Sequence, residues 1–493
     1  MTGLSLLLKY SERDIVGMKI KLGLGKTDMA SFTLYCGGEL YDFTGNLGSE
    51  FEYVCTDSRE ADEDTMFIAT RGERVDGHDY ISDAIMRGCR CILCEYVPQD
   101  ISGKRAAFSV VENSMAAFAQ AAKGYRSENP LNCIAVTGSV GKTTTKELIA
   151  SILRGKYKVY CTAGNFNSVI GMPMSMMEAD GDSELAVFEM GMSGFGEISS
   201  MSRAASPEIA LIINIGTSHL EYLETRENIA KAKLEIADGL KDGGYLVLDG
   251  DEPLLKNLPR YILEKNINIV YASATGGGDA DFKAFNIRFD DGGNIFDFDC
   301  MGKIIRDLRI PMIGRHFVSN ALFACAAAYL AGAGEDEMRA GLLKYRPVGY
   351  RQNIYEKNGI TIIADCYNAA PESMRAAIDV LRVIPCKGKR IAVLGDMKEL
   401  GRESENLHRS VGEYLAGKAD MLFSLGKFAG FIADGAISGG MVSKSVYCAE
   451  NNTGSDLEYI VSALRNTVSE GDAVLFKASR AMEFEKIIGA LWE

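Results

Sequence analysis

The chain has no apolar run approaching the roughly 20 residues a bilayer span requires. Its longest candidate, Ala321 to Ala333, is alanine-rich and interrupted by Gly332. No secretory signal is visible either, so a cytoplasmic protein without a membrane span is expected. Excess positive charge is also missing. A net charge of -14 over 493 residues argues against nucleic acid as a partner, and any acidic substrate must meet local basic groups. The twelve cysteines are scattered through strand-like and helical apolar runs, which points to reduced core thiols rather than disulfides. Cys89, Cys91 and Cys94 form the one cluster, and without a nearby histidine they make zinc a poor fit. No NKxD guanine-reading motif occurs, which disfavours a GTPase switch. Histidine is scarce: His78, His219, His316 and His408 are the full set, each in a motif-like loop or helix start.

What is present is ordinary globular material, 47% hydrophobic and 24% charged, in a chain too long for one core. A prior of about one domain per 150 residues suggests three. Residues 1–28 are set apart as an extension of unknown role, with Met29 as an alternative start. Residues 29–128 hold short apolar runs, Thr65 to Ala69 and Cys89 to Cys94 among them, punctuated by turn signals, which predicts a small α/β domain. Ser127 to Pro130 is a polar link. Beyond it, residues 129–346 alternate strands (Val159 to Thr162, Leu185 to Met190, Ile209 to Ile215) with helices, the pattern of a covered parallel sheet. Phe285, Ile287 and Phe289, a DDGGN turn, then Phe296, Phe298 and Cys300 predict an appended hairpin. A second link at Tyr345 to Tyr350 precedes residues 347–493, a Rossmann-like α/β domain with strands at Ile360 to Ala364, Arg390 to Leu394, Met421 to Leu425 and Ala473 to Phe476.

The central domain opens on the stretch that organises the rest. Cys133 to Glu147 reads CIAVTGSVGKTTTKE: an apolar strand, a glycine-containing loop, then Leu148, Ile149, Ile152 and Leu153 at helical spacing. A helix N-terminus offers unpaired N–H groups and a partial positive charge, and glycines let the backbone approach an anion. Gly138, Ser139, Val140, Gly141, Lys142, Thr143 and Thr144 are therefore candidate nucleotide-phosphate contacts, with Lys142 on the outer phosphates and the Thr143 hydroxyl on magnesium. The loop is a variant, because Val136 stands where the common pattern has a glycine.

Two further groups follow apolar strands directly: Glu189 in FEMG and His219 in NIGTSHLE. Strand ends are where α/β sheets bind ligands, so both are candidate cation-shell residues. In a helix running from Arg226 to Leu240, Ile229, Lys233, Ile236, Ala237 and Leu240 share one face while Lys231 points away. A lysine in an apolar stripe is costly unless it is paired, solvated or chemically altered.

At these residues the chain resembles the Mur ligases, ATP-dependent enzymes that form amide bonds in bacterial wall precursors. The resemblance spans about residues 31 to 493. TGSVGKTTTKE is similar to the family's phosphate loop, whose shorter glycine spacing accounts for Val136, and NFNSVIGMP, with Asn165 and Asn167, looks like the loop near the substrate. The resemblance implies that Thr143, Glu189 and His219 bind Mg2+ and that Lys233 carries a carbamate. It implies that Asn320 in GRHFVSNAL meets adenine and that Arg351 is the interdomain arginine. ADCYNAAPESM, LGDMKELGRESENLH and GDAVLFKASRAMEFE point to the branch that adds a dipeptide. In that branch Asp365 approaches the ribose, Tyr367 and Asn368 line the substrate site, and Lys477 and Arg480 lie near the dipeptide. Ala370 and Ala478 depart from the usual letters. TDSRE, with Asp57, Ser58 and Arg59, resembles the family's uridine-nucleotide domain.

The implied partners are ATP, UDP-N-acetylmuramoyl-tripeptide and D-alanyl-D-alanine, handled by a monomer whose three domains close by rigid-body movement at both links. A sister ligase adding a single amino acid, or glutamate to a folate, shares the phosphate loop. A P-loop ATPase switch is the alternative from another class.

Overall fold

The computed structural model of the chain describes residues 19–45, 49–72, 75–99, 105–164, 166–290 and 292–491. Three sheets organise them, each built on short, fully buried apolar strands that carry helices on their faces. Buried on both faces, such strands read as continuous apolar runs.

In the first unit the strands are β1 (Lys19–Lys21), β2 (Thr27–Asp28), β3 (Glu39–Asp42), β4 (Glu50–Phe51), β5 (Tyr53–Cys55), β6 (Thr65–Ile68), β7 (Cys91–Cys94) and β8 (Ala107–Val110). The main sheet runs β1-β5-β6-β7-β8-β3, parallel from β5 to β8 with antiparallel edges, while β2 pairs with β4. Residues 19–28, set apart as an extension, are thus part of this unit. Lys19, Ile20 and Lys21 pair with Cys55, Val54 and Tyr53, and Ile20 is buried. Only one apolar residue in KIK faces the core, which leaves too little pattern to mark a strand. Residues 1–18 lie outside the described residues.

The central sheet comprises β9 (Asn132–Thr137), β10 (Val159–Cys161), β11 (Leu185–Glu189), β12 (Ile209–Ile212), β13 (Tyr245–Asp249), β14 (Asn268–Ser273), β15 (Phe282–Asp290), β16 (Gly293–Cys300) and β17 (Lys303–Ile310). Its order is β10-β11-β9-β12-β13-β14-β15-β16-β17. The predicted hairpin is the first half of a three-stranded antiparallel extension that continues the sheet, because β17 pairs with β16 from Asn294↔Ile310 to Cys300↔Lys303. β9 lies between β11 and β12, and the chain crosses from one side to the other there, which opens a crevice at the carboxyl ends of these three strands.

The helix Lys142–Leu153 follows β9 and buries Leu148, Ile149, Ile152 and Leu153 completely. Each such side chain contributes about 1.5–3 kcal/mol on removal from water. The helix packs on Arg315–Leu330, whose run of buried alanines lets the backbones approach, and on Glu335–Lys344, where a Cβ at Gly341 would collide with the Ile152 backbone. The phosphate loop is therefore mounted on a rigid base.

The third sheet has β18 (Asn353–Lys357), β19 (Ile360–Ala364), β20 (Arg390–Gly395), β21 (Met421–Leu425), β22 (Val446–Ala449) and β23 (Ala473–Lys477), in the order β18-β19-β23-β20-β21-β22. All neighbours are parallel except β18–β19. Returning between β19 and β20, β23 puts the ends of these three strands side by side. Each of the three dipeptide-branch motifs covers the carboxyl end of one of them.

The units are joined unequally. One apolar cluster runs from Phe32, Phe51 and Phe118 in the first unit to Met174, Phe188 and Ile236 in the central one. Across that seam Gly23 N donates to Met177 O (2.8 Å) and Arg126 Nη1 to Ala179 O (2.8 Å). The third unit has its own cores and meets the central unit mainly through polar contacts: Thr217 N and Oγ1 donate to Glu372 Oε1 (3.0 and 3.1 Å), Glu221 N to Glu399 O (3.1 Å) and Gln352 Nε2 to Ile313 O (2.6 Å). Movement at both links is not what this packing favours, because a shared core resists separation at the first.

Candidate nucleotide and ligation site

Gly141 caps the helix Lys142–Leu153 in the left-handed region, with φ at 82°, and a Cβ there would strike Asn320 Oδ1. Glycine is required on both counts. The loop is pinned from β12's exit: Ser139 N and Val140 N donate to Asn214 Oδ1 (2.9 and 3.0 Å), Asn214 Nδ2 donates back to Val140 O (2.8 Å), and Gly216 N donates to Ser139 Oγ (2.8 Å). Lys142 Nζ folds back onto Gly138 O at 2.8 Å.

At β11's end Glu189 is 2% exposed and receives Thr143 Oγ1 and Asn167 Nδ2, both at 2.6 Å. Burial alone would raise its pKa, but Lys142, Lys146 and Arg351 outweigh that and hold the carboxyl below its usual range. A carboxylate and a hydroxyl at this spacing are hard oxygen donors of the kind magnesium prefers. Their fit to that ion is good.

A cavity of about 310 Å³ brings the two α/β units together over the loop. From the central unit it is lined by Ser139, Val140, Gly141, Lys142, Thr143, Thr144, Asn167, Glu189 and Asn320, and from the third by Arg351, Asp365, Tyr367, Asn368 and Lys477. Arg351 lies over the Tyr367 ring, 3.8 Å from its centroid. Lys477, 2% exposed, donates to Asp365 Oδ2 (2.7 Å) and Asn368 O (3.0 Å). This buried pair joins the ends of β19 and β23.

Among the described residues four groups of the expected site lie outside this lining: His219, Arg480, the trio Asp57, Ser58 and Arg59, and Lys233. His219 sits at φ 65° with Nδ1 2.6 Å from Glu399 Oε2, so in this arrangement it faces the third unit. Glu399, itself at φ 63°, has its carboxyl held below the usual range, chiefly by the His219 hydrogen bond. Arg480 turns to Glu485. Asp57, Ser58 and Arg59 line a separate cavity of about 620 Å³ in the first unit, where Asp57 and Arg59 pair at 2.6 Å. Asn165 lies outside the described residues.

Lys233 also lies outside that lining, and its helix is shorter than expected. Arg226–Leu234 is α-helical, and Glu235–Asp238 tightens into a 3-10 turn. Even so, Ile229, Lys233, Ile236, Ala237 and Leu240 are all buried, while Lys231 is exposed over the Phe195 ring. Lys233 is 1% exposed and forms no ion pair or hydrogen bond among the described residues. Burial, seconded by the Lys142 charge, drives its pKa well below the ordinary lysine value. As an ammonium it does not fit beside a cation.

Sequence reasoning missed Asn214, Glu372, Glu399 and Lys146. Lys146, fully buried one turn beyond Lys142, donates to Thr162 O and lies 3.0 Å from Glu147 Oε1. It is the same kind of signal as Lys233, a lysine on an apolar face. His78 and His408 are fold anchors: Glu95 N donates to His78 Nε2, and Met397 N to His408 Nε2, both at 2.9 Å.

A phosphate loop at the switch point of one parallel sheet, faced across a cleft by the strand ends of another, defines a nucleotide-binding α/β enzyme that works between two units. Three family models match in order: the Mur ligase family catalytic domain over residues 50–128, the Mur ligase middle domain over 136–328 and the Mur ligase glutamate ligase domain over 350–480. The UDP-N-acetylmuramoyl-tripeptide--D-alanyl-D-alanine ligase of Bacillus subtilis is 38% identical over 89% of this chain and 93% of its own length. Its namesake from Escherichia coli K12 is 33% identical over 89% and 93%. A MurF crystal structure from Acinetobacter baumannii matches with a TM-score of 0.83 at 28% identity, over 95% of this chain and 99% of the other. The Thermotoga maritima MurF ligase in complex with ADP matches at 0.75 and 30%, over 89% and 96%. The chain belongs to the Mur ligase family.

Proposed function

We propose that the chain is an ATP-dependent ligase that joins D-alanyl-D-alanine to UDP-N-acetylmuramoyl-tripeptide, giving the pentapeptide precursor of peptidoglycan in the cytoplasm. The observation that carries this reading is the single cavity in which Lys142 of the phosphate loop and Arg351 and Lys477 of the third unit converge. Phosphate and carboxylate groups can meet there among fixed cations. The relatives named above support the choice of substrates. Each substrate finds a unit of one chain, so a monomer suffices.

In the reaction, a tripeptide carboxylate oxygen attacks the γ-phosphorus of ATP, and ADP departs to leave an acyl phosphate. The dipeptide's neutral amine then attacks the acyl carbon. The tetrahedral intermediate loses a proton from nitrogen and expels phosphate, and an amide remains. Lys142, released from Gly138 O, would neutralise charge on the transferred group, and the loop N–H groups would hold the neighbouring phosphates. Magnesium held by Thr143 and Glu189 would spread charge over the phosphoryl oxygens. Closing the cleft keeps water from the acyl phosphate.

Lys233 suits its buried position as a carbamate: its neutral amine nitrogen bonds to the carbon of carbon dioxide and gives up one proton to solvent, so an anion stands where a buried cation would otherwise be. Isotope-labelled bicarbonate should give a carbamate carbon resonance that is absent in Lys233→Met; an equal signal in both proteins would refute the modification.

The direct test is phosphate release with ATP, magnesium, UDP-N-acetylmuramoyl-tripeptide and D-alanyl-D-alanine, omitting each in turn. Release should require all four and yield the pentapeptide mass. Release that ignores the dipeptide, or that needs a single amino acid instead, would reject the assignment.

A further inference from the structure

Beside the nucleotide cavity, and sharing His316, Glu372 and Ala376 with it, lies a larger cleft of about 750 Å³ between the β15–β17 extension and the helix Pro371–Val383. Its walls are basic in a chain whose net charge is -14. Arg288 and Arg315 come from the central unit, and Arg375, Arg382 and Lys418 from the third. Arg288 is already paired with Asp307, and the two carboxylates of the lining are engaged as well: Glu372 with Thr217, and Asp379 with Tyr414 Oη (2.9 and 2.8 Å) and Lys418 Nζ (3.7 Å), which leaves Arg315 on one wall facing Arg375 and Arg382 on the other. Arg315 and Arg382 form no ion pair among the described residues. Arg375 donates Nη2 to Ser410 Oγ (3.1 Å), but its buried Nε has no acceptor.

Cations on facing walls repel, so this side of the cleft opposes the approach of the two units unless an anion lies between them. Guanidinium groups suit phosphate oxygens in particular, through planar paired N–H donors. We propose that this cleft is a second anion site, distinct from the phosphate loop, which takes a phosphate-chain anion of the pyrophosphate class and, when filled, holds the central and third units together. The site draws nothing from the ligase chemistry, and its occupancy is read as binding, so a failed ligation assay would leave its test intact.

The experiment measures pyrophosphate binding to the full chain by calorimetry in a Lys142→Ala background, which weakens the phosphate loop. One pyrophosphate per chain should still bind. Adding Arg375→Ala and Arg382→Ala should weaken that binding at least tenfold, and Arg315→Ala on the opposite wall should weaken it separately, each protein being checked by its melting curve. No binding in Lys142→Ala, or equal affinity in every folded variant, would overturn the proposal. Sulfate binding as tightly at matched ionic strength would overturn the phosphate-chain class and leave general charge screening.

Discussion

Lys142 and Lys233 are neighbouring lysines of the central unit, and burial pulls the pKa of each down. Only Lys142 has a visible role without modification, since its Nζ already reaches a loop carbonyl from which a phosphate can displace it. Lys142→Ala should lower kcat by about 10²–10³, the scale of losing one charge-stabilising donor, and leave the melting temperature near that of the parent; a rate within tenfold of the parent would count against a phosphoryl role. His316 makes a different prediction. Burial brings its pKa down to about 4, below the ordinary value near 6.5. The unfolded chain therefore takes up this proton first, so the contribution is complete above about pH 6.5 and is lost as pH falls towards 4. His316→Gln should show a smaller drop in melting temperature between pH 7.5 and pH 5 than the parent. Equal drops would show that the imidazole is not held neutral.

The elements were legible in proportion to their burial. Strands β11, β12, β19, β21 and β23 read directly as LAVFE, IALI, ITIIA, MLFSL and AVLFK because parallel strands covered on both sides need apolar residues throughout. β1 has one apolar residue, too little pattern to mark a strand, and β22, VYCA, is an apolar run of only four residues with one of them buried, too short to stand out. The phosphate loop was legible because its chemistry is local: strand, glycine and helix cap are adjacent in sequence. Its bracing was not, since Asn214 is 74 residues from Val140 and touches it through a side chain that no spacing rule selects. Those three hydrogen bonds hold the loop in its observed shape. Asn214→Ala should cost about 1–2 kcal/mol of loop order and raise the KM for ATP some 5- to 30-fold with a smaller effect on kcat. A fall in kcat alone would mean that the loop keeps its shape without the asparagine.

At the scale of the whole molecule, three units were evident from length and alternation, but their coupling was not. Contacts such as Thr217 with Glu372 and His219 with Glu399 join residues 155 and 180 positions apart, and composition carries no trace of them. The coupling decides where the enzyme can move. Separating the first unit from the central one would expose Phe118, Met174 and Phe188 from a common core, at about 1.5–3 kcal/mol for each large side chain uncovered. Opening the cleft above the phosphate loop breaks polar contacts that water can replace, each worth only about 0.5–1.5 kcal/mol net. Motion should therefore concentrate at residues 345–352, between the helix Glu335–Lys344 and β18. Spin labels at Leu34 and Tyr261, both exposed, should keep one distance with and without ATP, magnesium and the two peptides, whereas labels at Tyr261 and Tyr459 should change theirs. A change in the first pair comparable to that in the second would mean that the shared core opens during turnover, and that closure proceeds at both links after all.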